Sequence, residues 1–421
     1  MAHLLDAALV WLVAAPTAAA PPAFGSKPHL VFILQDDLGH FDVAFSGNKA
    51  AAVITANITK LASEGVILNN HYVHWHCSPT RRSFLSGRLP VHHHEQLSDD
   101  ATDDLDLRYT WISGKLKQAG YQSFWFGKGH TGYKSVAHLP THNGFDRFVG
   151  FLSGSQSYTS TDRWEGDHPL NTDAEFTNPP RVCVPGAVPD DIIETVAQHA
   201  RATGPGAVCA RALELACDAD RLNHTVCLSC AANQTAKANC TNTEIGRFCS
   251  EAPPPRPHPQ PPQHNDSNCH ADTYSTTLYG ELCLAAIAAH DKAGPFFLYF
   301  PIQAVHGPYD AVPFNPIDDT YMGMLWDSDV YVGAIVNLLK KKAMYENTLL
   351  VYSADNGAGG GPPHLAPGTG TGLNWPLRGE KHTNWEGGLK AAAFVGGGLV
   401  PAQLRGTSSD VNCHIVGATF D

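Results

Sequence analysis

Residues 29–34 (His-Leu-Val-Phe-Ile-Leu) form an unbroken apolar run that ends directly in Gln35-Asp36-Asp37-Leu38-Gly39. A run of this kind suits a strand buried on both faces, the kind found in parallel sheets covered by helices. Two adjacent acids at its end are costly unless they are paired or hold a cation. Ligands in open α/β sheets gather beyond the carboxyl ends of strands. Asp36 and Asp37 are therefore candidate metal ligands, although a helix cap or a solvated pair explains them more simply when taken alone. A second strand-like run, 348–352, leads to Ser353-Ala354-Asp355-Asn356-Gly357. Asp355 and Asn356 offer oxygen ligands suited to Ca2+ or Mg2+; a plain Asp-Asn-Gly turn is the alternative.

Between these runs the sequence alternates helix and strand signals. Helices are expected at 54–64, 109–119, 273–290 and 321–342, and strands at 66–68, 121–126 and 295–300. The last helix carries apolar residues at Tyr321, Leu325, Val332, Ile335, Val336 and Leu339. With 421 residues the chain can form one large α/β domain or two. Its 40 acidic residues against 28 basic, a formal charge of -12, argue against nucleic-acid binding. They do not exclude an anionic substrate, because local cations set the field of a site.

The stretch Trp75-His76-Cys77-Ser78-Pro79-Thr80-Arg81-Arg82 continues as a helix-like run to Gly87. Pro79 is tolerated in a first helical turn. Cys77 then sits at a helix N-terminus, which favours an anion, with Arg81 about one turn on. A cysteine is more simply a small buried hydrophobe or half of a disulfide. The 11 cysteines leave one odd thiol, and setting Cys77 aside leaves an even number. His71, His74 and His76 read as wall or packing residues, and His92-His93-His94 as an exposed loop. Gly127-Lys128-Gly129-His130-Thr131-Gly132 follows a strand, but it lacks the Gly-x4-Gly-Lys-Ser/Thr of a phosphate loop. His306, in Gln303-Ala-Val-His306-Gly-Pro308, is by itself more often structural.

Taken together, these pieces resemble the sulfatase family. Cys77-x-Pro79-x-Arg81 resembles its signature. Gly127-Lys128-x-His130-x-Gly132, the Gly144-Phe145-Asp146 segment, His306, Asp355-Asn356-Gly357 and Asn374-Trp-Pro-Leu-Arg378-Gly379-Glu-Lys381 with Trp385-Glu386-Gly387-Gly388 follow in family order. The match covers roughly 29–180 and 272–415 and looks nearest to the arylsulfatase B (N-acetylgalactosamine-4-sulfatase) branch. The resemblance implies an α/β, alkaline-phosphatase-like fold, a large mixed sheet flanked by helices, with the small C-terminal domain expected to be missing. It implies conversion of Cys77 to formylglycine by a formylglycine-generating enzyme. It also implies one Ca2+ (or Mg2+) held by Asp36, Asp37, residue 77, Asp355 and Asn356. Arg81, Lys128 and Lys381 would hold the sulfuryl group, His306, alone or with Lys381, would protonate the leaving oxygen, and His130 would deprotonate the sulfated intermediate. The substrate would be a sulfated small molecule or carbohydrate. Relatives usually carry an aromatic residue where this chain has Gly129, so a less rigid loop is expected there. The rival readings are a phosphomonoesterase or phosphonate hydrolase of the wider superfamily, and an inactive secreted binding protein. Such phosphatases generally use Ser or Thr and paired zinc sites with His ligands.

Residues 1–22 read as a secretory signal, apolar from Leu4 to Ala20 apart from Asp6. Residues 26–180 and 272–421 read as the two parts of the catalytic domain. Residues 181–271 read as an insertion, with eight cysteines and a Pro-dense run from Pro253 to Pro262. Disulfides are favoured over a half zinc site at Cys227-x2-Cys230. Sequons at Asn57, Asn223, Asn233, Asn239 and Asn265 fit a glycosylated protein of the secretory pathway, lysosomal or extracellular. No stable membrane span is expected.

Overall fold

The computed structural model describes residues 27–93, 104–160, 162–169, 274–310, 312, 317, 319–359 and 372–415. The expected signal segment 1–22, the expected insertion 181–271 and the sequons at Asn223, Asn233, Asn239 and Asn265 lie outside these residues.

The strands in chain order are β1 (His29–Gln35), β2 (Val66–Leu68), β3 (His71–Tyr72), β4 (Gln122–Lys128), β5 (Arg147–Phe151), β6 (Trp164–Glu165), β7 (His168–Pro169), β8 (Phe296–Ile302), β9 (Thr348–Ala354), β10 (Ala393–Gly396), β11 (Thr407–Ser409) and β12 (Cys413–His414). Ten of them form one sheet in the order β11-β2-β10-β9-β1-β8-β4-β5-β6-β7, and β3 pairs with β12. The central five, β9-β1-β8-β4-β5, are parallel. Antiparallel joints at β9–β10 and β5–β6 make the whole sheet mixed, as expected. Gln35 lies in register with both Ile302 and Ala354, so the residues that follow β1, β8 and β9 emerge side by side.

The longer α-helices among the described residues are α1 (Ala56–Glu64), α2 (Cys77–Ser86), α3 (Ile112–Gln118), α4 (Ser275–Ala289) and α5 (Thr320–Lys341). Successive strand side chains point to opposite faces. On one face of β1, Phe32 stacks on Phe84 of α2 with centroids 3.9 Å apart. On the other, Gln35 reaches Ser328 of α5 at 3.2 Å. Both faces are thus covered, which accounts for the unbroken apolar runs of β1 and β8. Two of the boundaries that differ from expectation have a visible cause. The helix expected from 109 begins at Ile112, because Tyr109 N donates to Asp106 O at 3.0 Å and closes a turn first. β9 runs on to Ala354, since pairing with β1 continues there and His71 Nε2 satisfies the buried Ser353 hydroxyl at 3.1 Å.

α5 carries acids on its buried surface. Asp329 accepts from Asn57 N at 3.0 Å and Ile58 N at 2.8 Å, capping the first turn of α1 from a neighbouring helix. Asn57 Nδ2 donates to the same carboxylate at 2.9 Å and to the Asp329 carbonyl at 3.1 Å. With both amide hydrogens turned inward, the Asn57 sequon is closed to a glycan in this fold.

Burial, then the charge of Glu281, pushes Asp327 up to about 7, and its Oδ2 has no hydrogen-bond partner among the described residues. Unfolded, this carboxyl ionises near 4. Between about pH 4 and 7 the folded protein keeps a proton that the unfolded chain has lost, so this group's stabilisation is full below about 4 and is lost as pH rises to about 7. Buried histidines such as His71, held at about 4 mainly by burial, act in the opposite direction below pH 6.5. They cancel when wild type is compared with Asp327→Asn. Melting temperatures should therefore favour the variant more at pH 7.5 than at pH 5, and a pH-independent difference would contradict the assignment.

Candidate active site

Four adjacent parallel strands deliver predicted residues to one edge of the sheet. β1 runs into Asp36 and Asp37, β9 into Asp355 and Asn356, β4 ends on Lys128 just before His130, and β8 leads to His306. Cys77 is the first residue of α2, with Pro79 in its first turn and Arg81 one turn on. Lys381 arrives from the loop 372–388. That loop is seated tightly on the end of β9. Lys381 N donates to Ala358 O at 3.1 Å, and a Cβ on Gly357 would fall 1.7 Å from Gly387 O. Gly129 does not loosen its loop. Its N–H donates to Phe151 O at 2.7 Å, and a Cβ there would lie only 2.9 Å from that oxygen.

Cys77 Sγ, fully buried, lies 3.3 Å from Asp36 Oδ1 and 3.9 Å from Asp37 Oδ1. Lys128 Nζ stands 3.4 Å and Lys381 Nζ 3.3 Å from the same sulfur. Each lysine also binds one of the adjacent acids. Lys128 reaches Asp36 Oδ2 at 2.6 Å, and Lys381 reaches Asp37 Oδ1 at 2.7 Å and Oδ2 at 2.9 Å. Arg81 donates from Nε at 3.0 Å and Nη2 at 2.7 Å to Asp355 Oδ2, and its Nη2 is 3.6 Å from Asp36 Oδ1. Asp37 adopts a left-handed φ of 53°. Its N–H on Asp355 Oδ1 at 3.2 Å and its doubly held carboxylate maintain that conformation.

Three carboxylates, Asp36, Asp37 and Asp355, thus face three cations, Arg81, Lys128 and Lys381. Burial alone would raise Asp36, but Lys128, His306, Arg81 and Lys381 hold it well below the usual carboxylate range. For Asp355 the balance goes the other way: burial, then Asp36, outweigh Arg81 and push it up to about 7. Burial, then Asp355 and Asp36, push the Cys77 thiol well up against the two lysines. An unmodified Cys77 is therefore a thiol and a weak nucleophile.

The donor set suits a hard cation. Asn356 Nδ2 donates to Asp37 Oδ1 at 2.7 Å, while its buried Oδ1 has no hydrogen-bond partner among the described residues. A carbonyl oxygen left bare among three carboxylates fits Ca2+ or Mg2+. One donor atom from each of Asp36, Asp37, Cys77 and His306 also falls within 4.8 Å of the others. His306 was not expected in that group; its Nε2 lies 3.8 Å from Asp37 Oδ2.

His130 is buried, with a left-handed φ of 58°. Its ring meets His76 edge-on at a centroid distance of 5.3 Å. His76, just before Cys77, is a wall residue as read, and His74 packs on Ser83 at 2.9 Å. His93 departs from the exposed-loop expectation. It is buried against Ser83 at 3.3 Å because the chain makes a helical turn there. His94 lies outside the described residues. His382 was missed: exposed and left-handed at φ 68°, it lies over His76 with centroids 4.8 Å apart. Its place directly after Lys381 was the available signal. Among the described residues Cys283 and Cys413 are free as well as Cys77, so an odd number of cysteines does not single out Cys77.

A family model described as Sulfatase matches residues 28–201 and 224–405. Mouse arylsulfatase J is 29% identical over 402 residues, 93% of this chain and 51% of its own length. Dog arylsulfatase G is 28% identical over 397 residues, 91% of this chain and 62% of its own. The chain thus spans about half to two thirds of the length of these curated relatives. A solved sulfatase from Pseudoalteromonas sp. (PsFucS1) shares the fold, with a TM-score of 0.59 at 22% identity over 93% of this chain and 66% of that one.

Proposed function

The chain belongs to the sulfatase family, and from that premise we propose that it hydrolyses sulfate monoesters of aryl or carbohydrate alcohols at residue 77. The observation that carries this reading is the set of groups around Cys77: a buried thiol touching Asp36, with Lys128 and Lys381 at 3.4 and 3.3 Å. Burial and the charges of Asp355 and Asp36 outweigh the two lysines and keep a thiol protonated there, whereas those lysines suit an oxygen nucleophile attacking an anion. Converted to formylglycine, residue 77 supplies a hydrated aldehyde, one hydroxyl to attack sulfur and a second to expel the sulfate. A divalent cation held by Asp36, Asp37, Asp355 and Asn356 would lower the pKa of a hydroxyl there and neutralise sulfate oxygens.

Lys128, Lys381 and Arg81 hold the sulfuryl oxygens and stabilise the charge that builds on them. Their own positions are fixed beforehand by Asp36, Asp37 and Asp355, so no reorganisation is needed during the reaction. His306 gives its proton to the leaving oxygen. Burial, then Lys128, hold it below its ordinary value, which makes the protonated ring a stronger acid. His130 takes the proton from the remaining hydroxyl as sulfate departs. The signal-like segment 1–22, the sequons of the insertion and its cysteines support a place in the secretory pathway, lysosomal or extracellular. Among the described residues, no helix is long and apolar enough to cross a membrane.

The test is the mass of tryptic peptide 61–81 from protein made in its own secretory pathway, together with sulfate release from an aryl sulfate. A peptide about 18 Da lighter than the cysteine form is expected in active protein. Active protein carrying only unmodified Cys77 would overturn the mechanism.

A further inference from the structure

The loop that supplies Lys381 also carries exposed rings that the chemistry at residue 77 does not use. Trp375 is 64% exposed and Trp385 50%. Both rings lie on the loop that brings Lys381 to within 3.3 Å of Cys77 Sγ, and exposed aromatic surface on such a loop is available for ligand contact. Trp375 is braced edge-on by Phe41 at 4.7 Å between centroids, and Phe41 N donates to Leu373 O at 2.8 Å. Phe41 follows Asp37 by four residues, so this brace grows out of the acidic end of β1. The Arg378 guanidinium lies 3.8 Å over the Trp385 ring and makes no ion pair among the described residues. An exposed, ring-stacked guanidinium without a carboxylate is ready for an anion.

We propose that Trp375 and the Arg378–Trp385 pair receive the leaving-group side of the substrate, a pyranose ring on the aromatic surface and a neighbouring carboxylate or second sulfate on Arg378. This rests on the sulfatase reading and narrows it to acidic carbohydrate sulfates. Trp rings give large, rigid contact area at little entropic cost, and such contacts form equally in ground and transition states. Their loss therefore appears mainly in KM.

The experiment compares 4-nitrophenyl sulfate with a disaccharide of sulfated N-acetylhexosamine and hexuronate, using wild type, Trp375→Ala, Trp385→Ala and Arg378→Gln. The ratio of kcat/KM for the disaccharide to that for the aryl sulfate should fall about tenfold in each variant, chiefly through KM. Arg378→Lys should recover part of it. An unchanged ratio, or equal losses on both substrates, overturns the platform. If wild type turns over neither compound, the sulfatase reading has failed on its own, and calorimetric binding of the disaccharide decides the platform. Affinity weakened about tenfold by Trp375→Ala supports it; equal affinities, or no binding by wild type, overturn it.

Discussion

Replacing Cys77 by alanine should lower kcat/KM for an aryl sulfate by about 10^5-fold or more, while the fold survives. The size follows from the division of labour in the site. Lys128, Lys381 and Arg81 remain and still bind the anion, but no group is left to attack sulfur. Cys77→Ser should fail almost as completely: a serine ester would retain no second hydroxyl with which to expel sulfate. Because Sγ is fully buried beside two lysines, the small side chain of alanine leaves a modest cavity and a site that still holds its ion pairs. Thermal melting should therefore shift by only a few degrees. Turnover within about tenfold of wild type would move the chemistry away from residue 77 altogether.

Arg81→Met should produce the largest loss of stability, about 3–5 kcal/mol by denaturant titration. Asp36 and Asp355 are both fully buried, and Arg81 is the only residue that bridges them among the described residues. Removing the guanidinium strips Asp355 of its ion pair and leaves Asp36 to Lys128 alone in a dry interior, whereas a methionine of similar bulk preserves packing. The exposed Lys117–Asp146 pair, 3.0 Å apart, provides the contrast. Breaking it should cost no more than about 1 kcal/mol, because water already solvates both partners. Arg81→Lys should fall between, since one ammonium cannot reproduce the paired Nε and Nη2 bonds to Asp355 Oδ2. Added Ca2+ should narrow the deficit if it binds these same acids. A loss below about 1 kcal/mol without metal would mean that Lys128 alone neutralises the cluster.

The central sheet is legible in the sequence because burial on both faces leaves runs such as 29–34 and 296–302 without polar interruption. The acids that end β1 and β9 are legible for the same reason: charge directly after such a run has few structural excuses. The pairings inside the site are not. Lys128 binds Asp36 across 92 positions and Lys381 binds Asp37 across 344, and no periodicity records a partnership that distant. Strand order is hidden in the same way, since β8 enters between β1 and β4 from far along the chain. The inward turn of Asn57 is invisible too. It depends on Asp329, an acid in a helix whose apolar period gives no hint that a charge belongs inside. His93 is misread because a run of three histidines looks exposed, while one helical turn suffices to bury the middle ring.

The distance along the chain between Cys77 and Lys381 also sets a clock. The two touch at 3.3 Å but are separated by 304 positions. At roughly 5–20 residues per second of synthesis, about 15 to 60 s pass between their appearances. For that interval residue 77 has no lysine from the far loop beside it, and an enzyme acting on the thiol can reach it. Once the loop 372–388 seats on β9, the same atom has no exposed surface. Under the proposed conversion of residue 77, the order in which the ribosome delivers the two halves of the site allots that residue a time in which to be changed, and closure of the site ends it.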